Sequence, residues 1–225
     1  MIDLLQKGGP LMWVLLFCSI VALAVFAERM FHYHRAQIDV GEFLQGLAAL
    51  IRRRNLAEAL HESAATPGPV ARVIHAALLH HEAPRAELRD IIQESGQLEV
   101  PKLEDKLPIL GMLAFAAPLL GLLGTVLGLL DIFMKLSAAS GYVTAADISG
   151  GMYQSLLTTA AGLGIGIAAH VGHSYLSAWV NSLLHDMERG GIEVLHLLTE
   201  PRANADIIEF HGRHARPAAR DESRP

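Results

Sequence analysis

The pattern of apolar and polar positions separates three long apolar runs from polar, helix-forming stretches. The runs cover 10–27, 107–134 and 151–176. A helix that crosses a bilayer needs about 20 predominantly apolar residues, so each run predicts a transmembrane helix. A signal peptide is the alternative interpretation of the first run, but Asp3 and Lys7 leave the residues before it without a net positive charge.

Small and hydroxyl residues recur at steps of three or four along the second and third runs. They are Gly111, Ala114, Pro118, Gly121, Thr125 and Gly128 in the second run and Gly151, Ser155, Thr159, Gly162, Gly166, Ala169 and His173 in the third. Small residues on one face let helix backbones approach closely within a bilayer, where hydrophobicity does not drive helices together. The stripes therefore predict that the two helices pack side by side, with hydroxyls that either bond their own backbone or line a narrow polar path. The predicted packing glycines are Gly121, Gly124, Gly128, Gly162 and Gly166.

Amphipathic helices are predicted between the first two runs and after the third. Apolar residues keep a helical spacing through most of the region between the first two runs, and no alternating strand pattern of useful length occurs. Residues 28–106 are therefore predicted to form a small helical domain, too small for an enzyme core with a cleft. Residues 177–200 are predicted to form an amphipathic helix, which Gly190 and Gly191 loosen, and residues 201–225 a mobile tail.

The distribution of basic residues predicts how these segments are oriented. Of the 18 Lys and Arg residues, ten lie between Arg29 and Lys106 and six follow the third run. By the positive-inside rule, the domain at 28–106 and the C-terminus are predicted to be cytoplasmic, and residues 1–9 and the loop 135–150 are predicted to lie outside the cytoplasm. The expected fold class is an all-α membrane protein with three transmembrane helices and cytoplasmic helical extensions.

Composition narrows the function classes. Apolar residues make up 52% of the chain, which is high for a soluble protein of 225 residues. Cys18 is the only cysteine, so no disulfide within the chain is possible. No nucleotide-binding glycine loop follows a strand, and no nucleophile–base arrangement occurs. The sequence therefore predicts no enzyme activity and no cofactor, metal or nucleic-acid partner.

Two motifs within the second and third runs resemble a known family. LLGLLGTVLG occupies 119–128 and SLLTTAAGLGIGI occupies 155–167; together they resemble the MotA/TolQ/ExbB proton channel family, most of all its ExbB and TolQ branch. The resemblance implies a homopentameric ring in the bacterial inner membrane, whose second and third helices surround the membrane helices of a small ExbD/TolR-like partner. It also implies that Thr125 and Thr159 face the central cavity near a partner Asp that takes up and releases protons.

The resemblance further implies that proton flow moves the inner helices relative to the ring and that the work passes to the outer membrane, with a TonB/TolA-like protein as a further partner. One proton that moves through 100 mV releases about 2.3 kcal/mol, so a few protons suffice for a conformational cycle. The residues alone leave an alternative, in which Thr125 and Thr159 bond the carbonyl four residues back and only permit close packing.

Three other polar residues in or beside these runs are candidates for the proton pathway. Gln154 stands where the ExbB and TolQ branch commonly has Glu, and an amide cannot bind or release a proton as a carboxyl group does. The Gln154 side chain can still hydrogen-bond Thr158 one turn further along the helix. The alternative is that Gln154 is only a polar residue at the end of the helix. Asp131 either attracts protons at the outer mouth or is a solvated residue where the helix leaves the lipid. Ser155 lies on the stripe of the third run and is the third candidate.

His170 and His173 lie three residues apart on the cytoplasmic side of the third run, a spacing that can hold a metal. The alternatives are ordinary interfacial histidines and a proton exit at His173. Three rival functions follow from the chain as a whole: a metal-ion transporter that uses both histidines, a membrane scaffold that conducts nothing, and a motor subunit of another system in the same family.

Overall fold

The computed structural model describes residues 9–138 and 145–214, and its regular elements in these ranges are α-helices. They are α1 (Pro10–Ala36), α2 (Val40–Arg52), α3 (Leu56–Ala65), α4 (Pro69–Leu79), α5 (Arg85–Glu104), α6 (Leu107–Ala138) and α7 (Ala145–His214). Three helical segments, Pro10–Arg52, Leu107–Ser137 and Ile148–Thr199, are long and apolar enough to cross a membrane. The all-helical class and the three membrane-capable helices predicted from the sequence are thereby confirmed.

Several helix limits differ from the predicted ones, because backbone hydrogen bonds continue a helix after its apolar run ends. Helix α1 continues to Ala36, beyond the end of its apolar run at 27. The predicted loop 135–150 is shorter, since α6 covers its first residues and α7 its last. Helix α7 also passes position 201, where the sequence predicted a tail. The predicted segments at 1–8, 139–144 and 215–225 lie outside the described residues.

Gly190 and Gly191 do not loosen α7, contrary to the prediction. Both glycines are buried, and a Cβ placed on Gly190 would lie 3.1 Å from Cγ1 of Val70, while one on Gly191 would lie 2.6 Å from Cγ2 of Ile92. Packing against these side chains offsets the low helix propensity of glycine, about 1 kcal/mol relative to alanine.

The helix break before α6 does not fall at a proline. Pro101 lies inside α5 and Pro118 inside α6, because one missing N–H removes a single helix hydrogen bond. Pro108 is in the first turn of α6, where a proline leaves no donor unsatisfied. The chain turns instead at Lys106, whose backbone has a φ of +62°.

One compact unit consists of the described residues up to Arg35 together with the described residues from Lys102 to Asn181. Helix α1 buries one face in it, from Leu15 to Tyr33. The Tyr33 hydroxyl donates to the carbonyl of Leu103 at 2.6 Å, and the Arg29 guanidinium donates to the carboxylate of Asp105 at 2.6 Å. These two bonds hold the end of α1 to the segment that leads into α6.

The other compact unit consists of Ala36–Pro101 and the described residues from Ser182 onward. Asp39 caps α2 by accepting a hydrogen bond from the backbone N–H of Glu42 at 3.1 Å. Gly68, with a φ of +121°, makes the turn between α3 and α4. The core is formed by apolar side chains that include Leu44, Leu47, Val73, Ile74, Leu78, Met187 and Val194.

Candidate functional site

Helices α6 and α7 pack against each other in antiparallel order within the first unit. As the residue number increases along α6, the number of the residue opposite it on α7 decreases. The two stripes of small residues therefore contact each other. The opposed pairs are Gly111 with His173, Pro118 with Gly166, Gly121 with Gly162, Gly124 with Thr158, and Gly128 with Ser155. We call this contact the glycine seam.

The backbones of the two helices are close at the centre of the glycine seam. A Cβ on Gly162 would lie 2.6 Å from the carbonyl oxygen of Ala117 and 2.8 Å from Cα of Gly121. A Cβ on Gly121 would lie 3.0 Å from the carbonyl oxygen of Thr158. These neighbours are backbone atoms, which cannot rotate away, so only glycine fits without moving a helix.

The other three predicted packing glycines also leave no room for a Cβ, here because of side-chain atoms of the facing helix. A Cβ on Gly124 would lie 2.8 Å from Cβ of Thr158, and one on Gly128 would lie 2.8 Å from Cβ of Ser155. A Cβ on Gly166 would lie 2.6 Å from Cδ of Pro118. The close approach thus extends over several turns of both helices.

Thr159 and Thr125 use their hydroxyls differently. The Thr159 hydroxyl donates across the glycine seam to the carbonyl of Gly121 at 2.9 Å, and does not bond a carbonyl of its own helix. The Thr125 hydroxyl donates to the carbonyl of Leu122, three residues back on its own helix, at 2.5 Å. Both side chains are half-buried. Because a hydroxyl also has two acceptor lone pairs, each oxygen can accept a hydrogen bond from a protonated group.

Thr158 is a seam residue that sequence reasoning passed over. Its side chain faces Gly124, only 2% of the residue is exposed, and its hydroxyl donates to the carbonyl of Ser155 at 2.9 Å. Ser155 is also buried, and its hydroxyl donates to the carbonyl of Met152 at 2.9 Å. The signal was present in the sequence, since Ser155, Thr158 and Gly162 are spaced by three and four.

Gln154 and Asp131 lie towards the ends of α7 and α6 that flank residues 139–144. Gln154 is half-buried, and its amide nitrogen lies close to Gly9. The bond expected between Gln154 and Thr158 involves the backbone, because the Thr158 hydroxyl lies 3.3 Å from the Gln154 carbonyl oxygen. The carboxylate of Asp131 pairs with the ammonium of Lys135 at 2.7 Å.

His170 and His173 have different surroundings. His173 is half-buried against Gly111, where a Cβ would lie 3.1 Å from Nε2 of the ring, whereas His170 is exposed. Within the described ranges no three His, Cys, Asp or Glu side chains are grouped so that they could hold a metal ion.

Comparison with known proteins agrees with the motif assignment. The model of the MotA/TolQ/ExbB proton channel family matches residues 65–189. The biopolymer transport protein exbB1 of Vibrio cholerae serotype O1 is 32% identical over 190 residues, which cover 83% of this chain and 83% of that protein. A putative biopolymer transport protein, ExbB-like 3 of Synechocystis, is 29% identical over 72% of this chain and 78% of its own length.

A shorter part of the chain matches a member of the TolQ branch. The Tol-Pal system protein TolQ of Haemophilus influenzae is 36% identical over 88 residues, which cover 39% of this chain and 38% of that protein. The family match contains α6 and the part of α7 that forms the glycine seam. The match covers more than half of the chain, so the protein belongs to the MotA/TolQ/ExbB proton channel family.

Proposed function

We propose that this chain is a proton-conducting ring subunit of the bacterial inner membrane that converts the proton-motive force into mechanical work on the cell envelope, such as energising outer-membrane transport. Membership of a proton channel family implies a part in energy transduction with the proton-motive force. The proposed assembly is a homopentamer around an ExbD/TolR-like single-span partner, with a TonB/TolA-like protein as a further partner. The N-terminus is periplasmic and the C-terminus cytoplasmic in this proposal.

The observation that carries the proposal is the set of hydroxyls placed along two otherwise apolar helices. Thr125, Ser155, Thr158 and Thr159 each donate a hydrogen bond to a backbone carbonyl. Their donors are satisfied, and their lone pairs remain able to accept a hydrogen bond. Helices that only had to sit in lipid would not need this chemistry.

Hydroxyl oxygens are suited to a carboxyl group that changes protonation state within the membrane. A carboxylate at the bilayer centre is costly unless polar groups or water meet it. A threonine hydroxyl can accept from the protonated acid, and after rotation it can donate to the carboxylate. Thr125 and Thr159 are therefore the proposed contacts of the partner's Asp.

The outer faces of α6 and α7 support a position in lipid or against neighbouring subunits. Large apolar side chains are exposed along both helices, including Met112, Phe115, Phe133, Leu156, Ile167 and Val171. Exposed apolar surface of this extent marks a membrane or protein interface. In the proposed ring, this apolar surface contacts both lipid and neighbouring subunits.

A threonine replacement tests the proposal. Thr159→Val removes the hydroxyl that bonds Gly121 but keeps the branched shape, so we expect a loss of proton flux of at least about tenfold with the ring still assembled. Thr159→Ser keeps a hydroxyl and should retain most of the flux. Thr199→Val is the matched control, since the Thr199 hydroxyl donates to the carbonyl of Leu195 at 2.7 Å, away from the glycine seam.

The measurement is acidification of proteoliposomes that contain the chain with the ExbD/TolR-like protein of the same genome, under an imposed proton gradient. A scaffold would give no gradient-driven flux in any variant, wild type included, and its partner binding would survive collapse of the gradient. Normal flux in Thr159→Val would remove Thr159 from the pathway.

A further inference from the structure

Asp131 and Gln154 line the same cavity, although they lie on different helices. The cavity has a volume of about 100 Å³, is partly open, and is lined by the start of α1, by α6 and by α7. Its polar side chains are Asp131 from α6 and Gln154 and Thr158 from α7, and the first residues of α1, Pro10 and Leu11, form its apolar wall. We call it the Asp131 cavity.

Two glycines of the glycine seam form part of the cavity wall. Gly124 and Gly128 line the Asp131 cavity, and a Cβ on either one would press against Thr158 or Ser155 of α7. Each water in liquid occupies roughly 30 Å³, and a buried water needs two to four polar partners. The cavity has room for about three waters, and its carboxylate, amide and hydroxyl provide the partners.

The three polar groups differ in the chemistry that they offer. The Thr158 hydroxyl donates to the Ser155 carbonyl, which leaves its oxygen as an acceptor for water. The Gln154 amide can donate and accept, but it cannot bind or release a proton. The Asp131 carboxylate is the titratable group among the residues that line the cavity, and Lys135 pairs with it from one turn further along α6.

We propose that the Asp131 cavity is a hydrated proton-uptake site at one end of the glycine seam, with Asp131 as its proton acceptor. This inference rests on the proposed function. A hydronium ion at the mouth gives one proton to a carboxylate oxygen of Asp131 and becomes water, and the neutral carboxyl then returns that proton to a water inside the cavity.

Exchange of the two side chains tests the assignment. Asp131→Asn should lower proton flux about tenfold, because no other described residue that lines the cavity is titratable. Asp131→Asn combined with Gln154→Glu should restore at least half of the wild-type flux, because a carboxyl group faces the same cavity from α7. Gln154→Glu alone should conduct at least as well as the double variant.

The ion pair has its own control. Lys135→Gln keeps the Asp131 carboxylate but removes its partner, and it should retain more flux than Asp131→Asn. Unchanged flux in Asp131→Asn, equal losses in Asp131→Asn and Lys135→Gln, or a double variant no better than Asp131→Asn would each overturn the proposal. Absence of flux in the wild type would instead refute the proposed function, and proton uptake with it.

Hydration of the Asp131 cavity is measured separately, in an experiment that needs neither proton flux nor the partner protein. In a Cys18→Ala background, Gln154→Cys should react with a membrane-impermeant methanethiosulfonate added from the periplasmic side. Leu156→Cys is the control, since Leu156 is 64% exposed on an apolar face and should be shielded by lipid. Labelling of Gln154→Cys no faster than Leu156→Cys would show a dry cavity and refute the uptake site.

Discussion

Replacement of Gly162 by alanine should weaken the pairing of α6 and α7, because the added methyl group would meet backbone atoms of α6. The added Cβ would lie 2.6 Å from the Ala117 carbonyl oxygen and 2.8 Å from Cα of Gly121. An ordinary contact of this kind is 3.4 Å or more. The two backbones would therefore have to separate locally by roughly 0.8 Å, since neither neighbouring atom belongs to a rotatable side chain.

Gly164 provides a matched comparison on the same helix. A Cβ on Gly164 would meet nothing within 4 Å. Alanine improves helix propensity by about 1 kcal/mol at either position, so this gain cancels when the two variants are compared. The difference that remains is the cost of overpacking, about 1–3 kcal/mol, which corresponds to a factor of roughly 5–150 in the unfolding equilibrium constant.

The assay is reversible unfolding of the purified protein in mixed micelles, followed by far-ultraviolet circular dichroism as the denaturing detergent is increased. Gly162→Ala should unfold at a lower detergent fraction than Gly164→Ala, and Gly164→Ala should be as stable as the wild type or slightly more stable. Equal unfolding midpoints for the two variants would refute the close backbone contact at Gly162, on which the expected destabilisation depends.

Three smaller predictions concern other parts of the chain, and each is measured by the same unfolding assay. Asp105→Asn should destabilise the protein by about 1–2 kcal/mol, because the buried guanidinium of Arg29 loses the nearer of two carboxylates, Asp105 at 2.6 Å against Glu28 at 4.0 Å; no change would show that the pair contributes nothing. Tyr33→Phe should lower the free energy of unfolding by about 1–2 kcal/mol, because the buried carbonyl of Leu103 loses its hydrogen bond. An unchanged stability would contradict the burial of that bond. Gly46→Ala should stabilise α2 by about 0.5–1 kcal/mol, since nothing lies within 4 Å of the added Cβ, and a loss of stability would reveal an unseen contact.

The sequence was sufficient to predict the helical class and the three membrane-capable helices. Both depend on local composition, because an apolar run of about 20 residues has few stable solutions other than a spanning helix. The motifs around Thr125 and Thr159 also led to the correct family. Helix limits were less accurate, since the hydrogen bonds that extend α7 to His214 do not require apolar side chains.

The apolar periodicity of the polar domain was a weaker guide to burial. Leu98 and Ile192 follow the helical spacing of their neighbours, yet they are 63% and 52% exposed. Periodicity shows which residues share a helix face, but burial depends on whether another element covers that part of the face.

The partners of each seam residue could not be read from the stripes. Spacing shows that Gly121, Thr159 and Gly162 lie on faces suited to close approach, but it does not state the register in which α6 opposes α7. That register sends the Thr159 hydroxyl to Gly121 and makes Thr158 the most deeply buried threonine in the described part of the seam. It also brings Asp131 and Gln154 to one cavity. Helix formation depends on neighbours in sequence, whereas rotation and register depend on contacts between residues 27 to 62 positions apart in the opposed pairs. Those contacts exist only once the helices have packed.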